Sequence, residues 1–99
     1  MIYITRRLEF CASHRLYNPE FSDEKNETIF GLCNNPNGHG HNYVLEVTVK
    51  GEVDPQTGMV LDLKALKKLI NEEIINKVDH KNLNVDVDFL KEVIPTAEN

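Results

Sequence analysis

An α+β fold is predicted for this 99-residue chain by two segments of alternating polarity and one segment with a helical repeat. Residues 2–12 and 39–50 alternate between apolar and polar side chains, which is typical of strands with one buried face. Residues 63–78 carry apolar residues at steps of three and four, the spacing of one helix face. The length fits a single small domain over residues 1–99.

The first strand has its apolar face at alternate positions, and this face continues to His14. Arg6 is the only charged residue on it. The apolar members are Ile2, Ile4, Leu8, Phe10 and Ala12. Residues 18–31 are polar and irregular, with a short helical turn expected between Asp23 and Phe30. Turn-forming residues are then concentrated at 34–38.

The second strand places His39, His41 and Tyr43 on one face, followed by Leu45, Val47 and Val49. A brief extended piece is expected at Met59–Leu61. Asp62 stands where a helix N-cap would, before the helix of residues 63–78. Thr96 stands at the cap of what is predicted to be the start of another helix.

Charge and hydropathy exclude several classes of protein. The chain has 11 Lys and Arg against 16 Asp and Glu, whereas nucleic-acid binding calls for a basic surface. It contains no apolar stretch of the roughly 20 residues that a membrane helix needs. The first ten residues lack the apolar core of a secretory signal, so we expect a cytoplasmic protein with Cys11 and Cys33 as free thiols.

Three of the four histidines fall on predicted core faces. His39 and His41 project to one face because they are two residues apart on a strand, and His14 ends the apolar face of the first strand. If the two strands pair, three imidazoles converge at one end of the core. Three imidazoles with an open fourth position are the usual catalytic zinc arrangement, whereas a structural site usually has a fourth protein ligand. The alternative is histidines that are hydrogen-bonded within the core.

The residue pattern alone leaves the roles of the other candidate residues open. Cys33 could be a catalytic thiolate, a fourth zinc ligand or a small buried residue, whereas Cys11 is interpreted as structural. Asp79 and His80 could form a carboxylate–imidazole pair or a surface pair at a helix end. Thr96 and Glu98 could form a helix cap with an acidic first turn, or Glu98 could bind the edge of a heterocycle.

Several motifs resemble the 6-pyruvoyltetrahydropterin synthase family. The most specific is residues 33–43 (CNNPNGHGHNY), where the cysteine precedes the paired histidines at a fixed spacing. The others are residues 11–17 (CASHRLY), 51–59 (GEVDPQTGM), 79–83 (DHKNL) and 96–99 (TAEN). The likeness runs in order along nearly the whole chain.

The resemblance implies a tunnelling fold, an antiparallel sheet with helices on one face, whose subunits form trimers that stack into a homohexamer. It implies Zn²⁺ bound by His14, His39 and His41, and Cys33 as the catalytic base. Asp79 and His80 of a neighbouring subunit would assist Cys33, and Thr96 and Glu98 would bind substrate. The implied reaction is zinc-dependent lyase chemistry that converts 7,8-dihydroneopterin triphosphate to 6-pyruvoyltetrahydropterin, on the path to tetrahydrobiopterin.

One departure and two alternatives accompany the resemblance. Family members continue past the segment ending at Asn99 with two strands that carry a pterin-anchoring glutamate, so the C-terminal part of the fold is expected to be missing. The sister enzyme 6-carboxytetrahydropterin synthase of queuosine biosynthesis uses the same substrate and the same histidines. The longer spacer before His39 favours the pyruvoyl enzyme. A non-catalytic zinc- or pterin-binding module is the second alternative.

Overall fold

Two long strands dominate the computed structural model, which describes residues 1–99. β1 (Ile2–His14) and β2 (His39–Gly51) pair antiparallel, with Ile2 opposite Gly51 and His14 opposite His39. Both strands were predicted, and both extend slightly beyond the predicted bounds. Burial alternates along each strand as the sequence predicts, so each has one face directed to the core.

A third strand, β3 (Lys81–Asn82), pairs in parallel with Ala12 and Ser13 of β1. The sheet order is therefore β2-β1-β3. Sequence analysis did not find β3 because two residues cannot display an alternating pattern. The pairing of β3 brings Asp79 and His80, which directly precede it in the chain, to the end of β1 that carries His14.

The connection between β1 and β2 is helical in part. α1 (Asp23–Phe30) confirms the predicted helical turn, and the Ser22 hydroxyl caps it by accepting a hydrogen bond from the Lys25 amide at 3.1 Å. A 3-10 turn, Gly31–Asn34, follows and contains Cys33. The chain then turns at Gly38 and enters β2.

The predicted helix of residues 63–78 is present but is not uniform. It consists of α2 (Leu63–Ile70), a π-helical segment (Asn71–Ile75) and α3 (Asn76–Val78). Asp62 caps it as predicted, accepting from the Lys64 amide at 2.8 Å. Because a π-helical turn is wider than an α-helical turn, the buried residues Ile70 and Ile75 lie five positions apart. Leu63, expected on the apolar face, is 46% exposed.

The helices cover one face of the sheet, as the resemblance implies. Leu66, Ile70 and Ile75 form a buried cluster against the apolar face of β1 and β2. A second cluster of Ala12, Val78, Leu83 and Val87 packs under the end of β1 that leads to the histidines. The core therefore supports the sheet end where the chemistry-bearing residues lie.

Two shorter expectations differ from the structure. Met59–Leu61 is not a strand, because the Met59 carbonyl accepts from the Asp54 amide at 2.9 Å within a loop. Residues 96–99 form one turn, closed by the Asn99 amide and the Thr96 carbonyl at 3.2 Å. A single turn does not reach the length at which helix propagation offsets nucleation. None of the helices is long and apolar enough to cross a membrane.

Candidate metal centre

The antiparallel register brings three imidazoles together. His14 lies directly opposite His39, and His41 follows two residues along β2 on the same face. Ring centroids are 4.7 Å apart for His14 and His39, 5.1 Å for His14 and His41, and 4.6 Å for His39 and His41. One nitrogen from each ring lies within 4.8 Å of the others, so the three side chains could hold a metal ion.

The His14 ring is buried and oriented by the backbone. Its Nδ1 lies 2.9 Å from the carbonyl oxygen of Pro95, which can only accept, so Nδ1 carries the proton and donates. Nε2 is then left with a lone pair for a metal. A backbone carbonyl that fixes the tautomer of a ligand histidine is a common feature of metal sites.

His39 has a polar atom that the protein itself leaves unpaired. Its Nδ1 is buried and has no hydrogen-bond partner. Burial, followed by the neighbouring His14 and His41 rings, lowers the pKa of His39 below its ordinary value and favours the neutral imidazole. A neutral ring with an unpaired nitrogen is suited to metal coordination, so the donor set fits a divalent ion.

Tyr43 continues the histidine face of β2. Its hydroxyl lies 3.4 Å from His14 Nδ1, a weaker contact than the one to Pro95, and its ring stacks on Phe10 with centroids 4.9 Å apart. Burial raises the pKa of Tyr43, so the phenol stays protonated at neutral pH. Tyr43 therefore forms the inner wall of the centre.

The centre opens to a cavity of about 870 Å³ that Cys33, His39 and His41 line together. Cys33 is half-buried, and its carbonyl accepts from the Leu16 amide at 2.8 Å. Arg15 lines the same cavity and holds the 3-10 turn through Asn34, with Nε 2.9 Å from its backbone oxygen and a terminal nitrogen 3.0 Å from its side-chain oxygen. Cys33 and the imidazoles of His39 and His41 thus border one space.

Asp79 and His80 form a pair, but beside Cys11 rather than Cys33. Asp79 Oδ1 accepts from the Cys11 amide at 3.0 Å and lies 3.0 Å from His80 Nδ1. The Cys11 amide, and then the His80 ring, lower the pKa of Asp79 despite partial desolvation. His80 lies in the left-handed region at φ 59° and its side chain is 78% exposed. His80 lines a second cavity of about 630 Å³, which also contains Cys11 and His41 but not Cys33.

The C-terminal turn lies near the centre through Pro95, next to Thr96. Thr96 is half-buried and Glu98 is exposed, and neither side chain makes a hydrogen bond within the chain. Their predicted role in substrate binding stays a prediction.

Sequence reasoning missed Arg15, Asn34 and Pro95 as residues that shape the centre. Arg15 directly follows a predicted ligand, which is a usable signal for a supporting role. Pro95 has no such signal, because its contribution is a backbone oxygen. Gly38 ends the predicted turn of residues 34–38. Glycine is favoured there because a Cβ at this position would lie only 3.1 Å from the His14 carbonyl oxygen.

The chain is similar in sequence to known proteins over nearly its whole length. A sequence model of the family described as 6-pyruvoyl tetrahydropterin synthase matches residues 3–99. The human protein named 6-pyruvoyl tetrahydrobiopterin synthase is 56% identical over 96 residues, which cover 97% of this chain and 66% of the human protein. The 6-carboxy-5,6,7,8-tetrahydropterin synthase of Rickettsia typhi is 36% identical over 99 residues, covering 100% of this chain and 62% of that protein.

A solved structure is similar over the same extent. The 6-pyruvoyl tetrahydropterin synthase of Caenorhabditis elegans matches with a TM-score of 0.92 and 49% identity, covering 99% of this chain and 69% of that chain. The chain described here therefore spans about two thirds of the length of these relatives.

Proposed function

Because the chain belongs to the 6-pyruvoyl tetrahydropterin synthase family, we propose that it is a zinc-dependent lyase acting on 7,8-dihydroneopterin triphosphate. The proposed products are 6-pyruvoyltetrahydropterin and triphosphate, on the path to tetrahydrobiopterin. The observation that carries this proposal is that Cys33 and the imidazoles of His39 and His41 face one cavity. A thiol beside a metal centre can serve as the base for proton abstraction once it is deprotonated.

Zinc is the metal we propose for His14, His39 and His41. Three imidazoles that leave a further position open suit Zn²⁺ and its catalytic use. When bound, zinc would act as a Lewis acid that makes protons next to the coordinated substrate oxygens more acidic. Pro95 supports this role by holding His14 in the tautomer with a free Nε2.

Cys33 is the proposed base. As a thiolate it would remove a carbon-bound proton from the substrate side chain. Arg15 and Asn34 support its position, since they hold the turn that presents Cys33 to the cavity.

Asp79 and His80 are the proposed partners that return or relay a proton. Asp79 holds His80 through Nδ1, which leaves Nε2 free to exchange a proton. In one chain His80 and Cys33 line different cavities. This separation supports the proposal that Asp79 and His80 complete the site of a neighbouring subunit.

A homohexamer made of two stacked trimers is the proposed assembly. β2 is an edge strand along its whole length, and β1 is paired on its second side only at Ala12 and Ser13. A long unpaired edge presents free backbone donors and acceptors that can pair with a strand of another chain. Thr96 and Glu98 are the proposed contacts to the pterin. The cytoplasm is the proposed location, since both cysteines are free thiols.

The second candidate function is that of 6-carboxytetrahydropterin synthase, which the relative from Rickettsia typhi favours. Both enzymes would use the same substrate and differ in whether a pyruvoyl or a carboxyl group stands at the pterin 6-position. Mass analysis of the product from 7,8-dihydroneopterin triphosphate separates them. The pyruvoyl product supports the first proposal, and the carboxyl product with acetaldehyde supports the second.

A non-catalytic zinc- or pterin-binding module is the remaining alternative. The same incubation tests it, because a binding module would retain its metal and leave the substrate unchanged. Cys33 and the Asp79–His80 pair argue against a binding module, since binding alone needs neither.

A further inference from the structure

The side chain of Asn84 pairs with the backbone beside the metal centre. Its Oδ1 accepts a hydrogen bond from the Arg15 amide at 2.7 Å, and its Nδ2 donates to the Arg15 carbonyl at 2.9 Å. A carboxamide contains both a donor and an acceptor, so it can pair with both backbone groups of one residue. These two hydrogen bonds, here called the Asn84 bracket, hold the residue that directly follows His14.

The backbone of β3 does not extend to Arg15. β3 ends at Asn82, and the chain then turns, with the Asp86 amide donating to the Asn82 carbonyl at 2.9 Å. The Asn84 amide is used within this turn, where it donates to Asn82 Oδ1 at 2.9 Å. The side chain of Asn84 therefore continues the pairing with the end of β1 after the backbone has turned.

The residues that follow β3 hold His14 on both flanks. On one flank, the Ser13 carbonyl accepts from the Leu83 amide at 2.8 Å, and Leu83 is buried in the core cluster beneath this end of β1. On the other flank, Asn84 holds Arg15. The backbone position of His14 thus depends on these residues as well as on the pairing of β1 with β2.

The position of this backbone matters for the ring that projects from it. His14 is buried, and its hydrogen bond to Pro95 orients the imidazole. The Asn84 bracket acts at a different point, since it fixes the end of the strand that carries the ring. Metal–ligand distances vary by only about 0.2 Å around their usual values, so a ligand whose backbone shifts binds more weakly.

We propose that Asn84 is a positioning residue of the metal centre, acting through the backbone next to His14. This proposal rests on the proposed zinc centre and assigns Asn84 no contact with the metal or with substrate. Residues that hold metal ligands in place typically contribute about 10- to 100-fold to metal affinity. Loss of the bracket is therefore expected to weaken zinc binding without abolishing it.

The chain contains a matched pair of hydrogen bonds elsewhere. Asn26 Oδ1 accepts from the Asn18 amide at 2.8 Å, and Asn26 Nδ2 donates to the Asn18 carbonyl at 2.9 Å. Asn26 is buried on α1, whereas Asn84 is half-buried. Neither Asn18 nor Asn26 adjoins a candidate metal ligand in the sequence. Asn26→Ala thus removes the same two hydrogen bonds and is the control for a purely structural loss.

The test is a competition titration of the zinc-loaded full chain with a chromophoric chelator at neutral pH. We expect Asn84→Ala to lower the zinc affinity by about tenfold or more, and Asn26→Ala to leave it unchanged. Urea denaturation should give both variants a lower free energy of unfolding, since each loses two hydrogen bonds. Zinc affinity therefore separates a positioning role from a structural one.

Asn84→Asp is the conservative variant. Its carboxylate can still accept from the Arg15 amide, the shorter of the two contacts, but cannot donate to the Arg15 carbonyl. We expect a zinc affinity between those of Asn84→Ala and the unmodified chain. This variant tests the proposal where Asn84→Ala fails to fold.

Three results would overturn the proposal. Full zinc affinity in Asn84→Ala, or in Asn84→Asp where alanine prevents folding, would show that His14 does not depend on the bracket. An equal loss of affinity in Asn26→Ala would show that zinc affinity follows stability alone. Absence of zinc binding by the unmodified chain would contradict the zinc centre itself, which distinguishes it from the first two results, where the unmodified chain binds zinc.

Discussion

The Nδ1 atom of His14 lies 2.9 Å from the carbonyl oxygen of Pro95, although 81 positions separate the two residues in the chain. This hydrogen bond joins the end of β1 to the segment that follows a short 3-10 turn at Asp88–Leu90. It also leaves His14 Nε2 free beside His39 and His41. The orientation of the candidate metal centre thus depends on both ends of the chain.

Removal of one candidate ligand should abolish metal binding. We expect about one zinc ion per chain in the unmodified protein and almost none in His41→Ala, because two imidazoles hold zinc far more weakly than three. Elemental analysis after gel filtration measures this. His80→Ala is the control, since His80 is exposed and borders a different cavity. Full zinc content in His41→Ala would contradict the assignment.

Cys33→Ala should separate chemistry from metal binding. Loss of a proton-transferring group typically lowers turnover by about 10²- to 10⁴-fold. We therefore expect Cys33→Ala to retain its zinc and its circular dichroism spectrum while losing conversion of 7,8-dihydroneopterin triphosphate. Undiminished turnover in this variant excludes Cys33 as the base.

Asp79 should make folding stability depend on pH in the acid range. Its pKa is lowered in the folded state, chiefly by the Cys11 amide, from a usual value of 3.8. The ionised carboxylate therefore stabilises the fold above the usual pKa, and this contribution is lost as the pH falls through the lower folded value. Urea denaturation should give Asp79→Asn a lower free energy of unfolding than the unmodified chain at about pH 5. This difference in free energy should narrow towards about pH 2.

The control for this series is Asp88→Asn, because the Asp88 side chain is 95% exposed. We expect its stability to follow that of the unmodified chain at each pH. If the difference in unfolding free energy between Asp79→Asn and the unmodified chain stays constant with pH, the Asp79 carboxylate does not titrate at a lowered pKa.

Gly38 should matter more than another glycine of the same conformation. Gly38 and Gly58 have φ of 74° and 72°, so alanine at either position is strained by roughly 1–2 kcal/mol. Only at Gly38 would the added Cβ meet another residue, the His14 carbonyl oxygen at 3.1 Å. We expect Gly38→Ala to lower both stability and zinc content, and Gly58→Ala to lower stability alone. Equal zinc content in the two variants would contradict a role for Gly38 in the centre.

Leu66 should dominate the contact between helix and sheet. It is 2% exposed within the cluster that covers β1 and β2, whereas Leu69 on the same helix is 53% exposed. Leu66→Ala is expected to cost about 2–5 kcal/mol of unfolding free energy. Leu69→Ala should cost less than roughly 0.5–1 kcal/mol by the same urea denaturation. Similar losses in both variants would show that the helix packs differently.

Much of the fold was predictable because its signals are local. Alternation located β1 and β2, a helical repeat located residues 63–78, and Asp62 marked the helix start. The shared face of His39 and His41 also follows from strand geometry alone. β3 was not predictable, since it forms by pairing with residues far earlier in the chain. The π-helical segment was not predictable either, because the repeat over residues 63–78 indicates one regular helix.

The sequence by itself determined which residues could meet at one face, because the periodicity of a strand or helix is a property of consecutive residues. Only the tertiary structure decided which of them do meet. It paired His14 with His39, oriented His14 through Pro95, and brought Asp79 and His80 to Cys11 instead of Cys33. Strand register and loop closure bring distant residues together, and no local pattern encodes those distances.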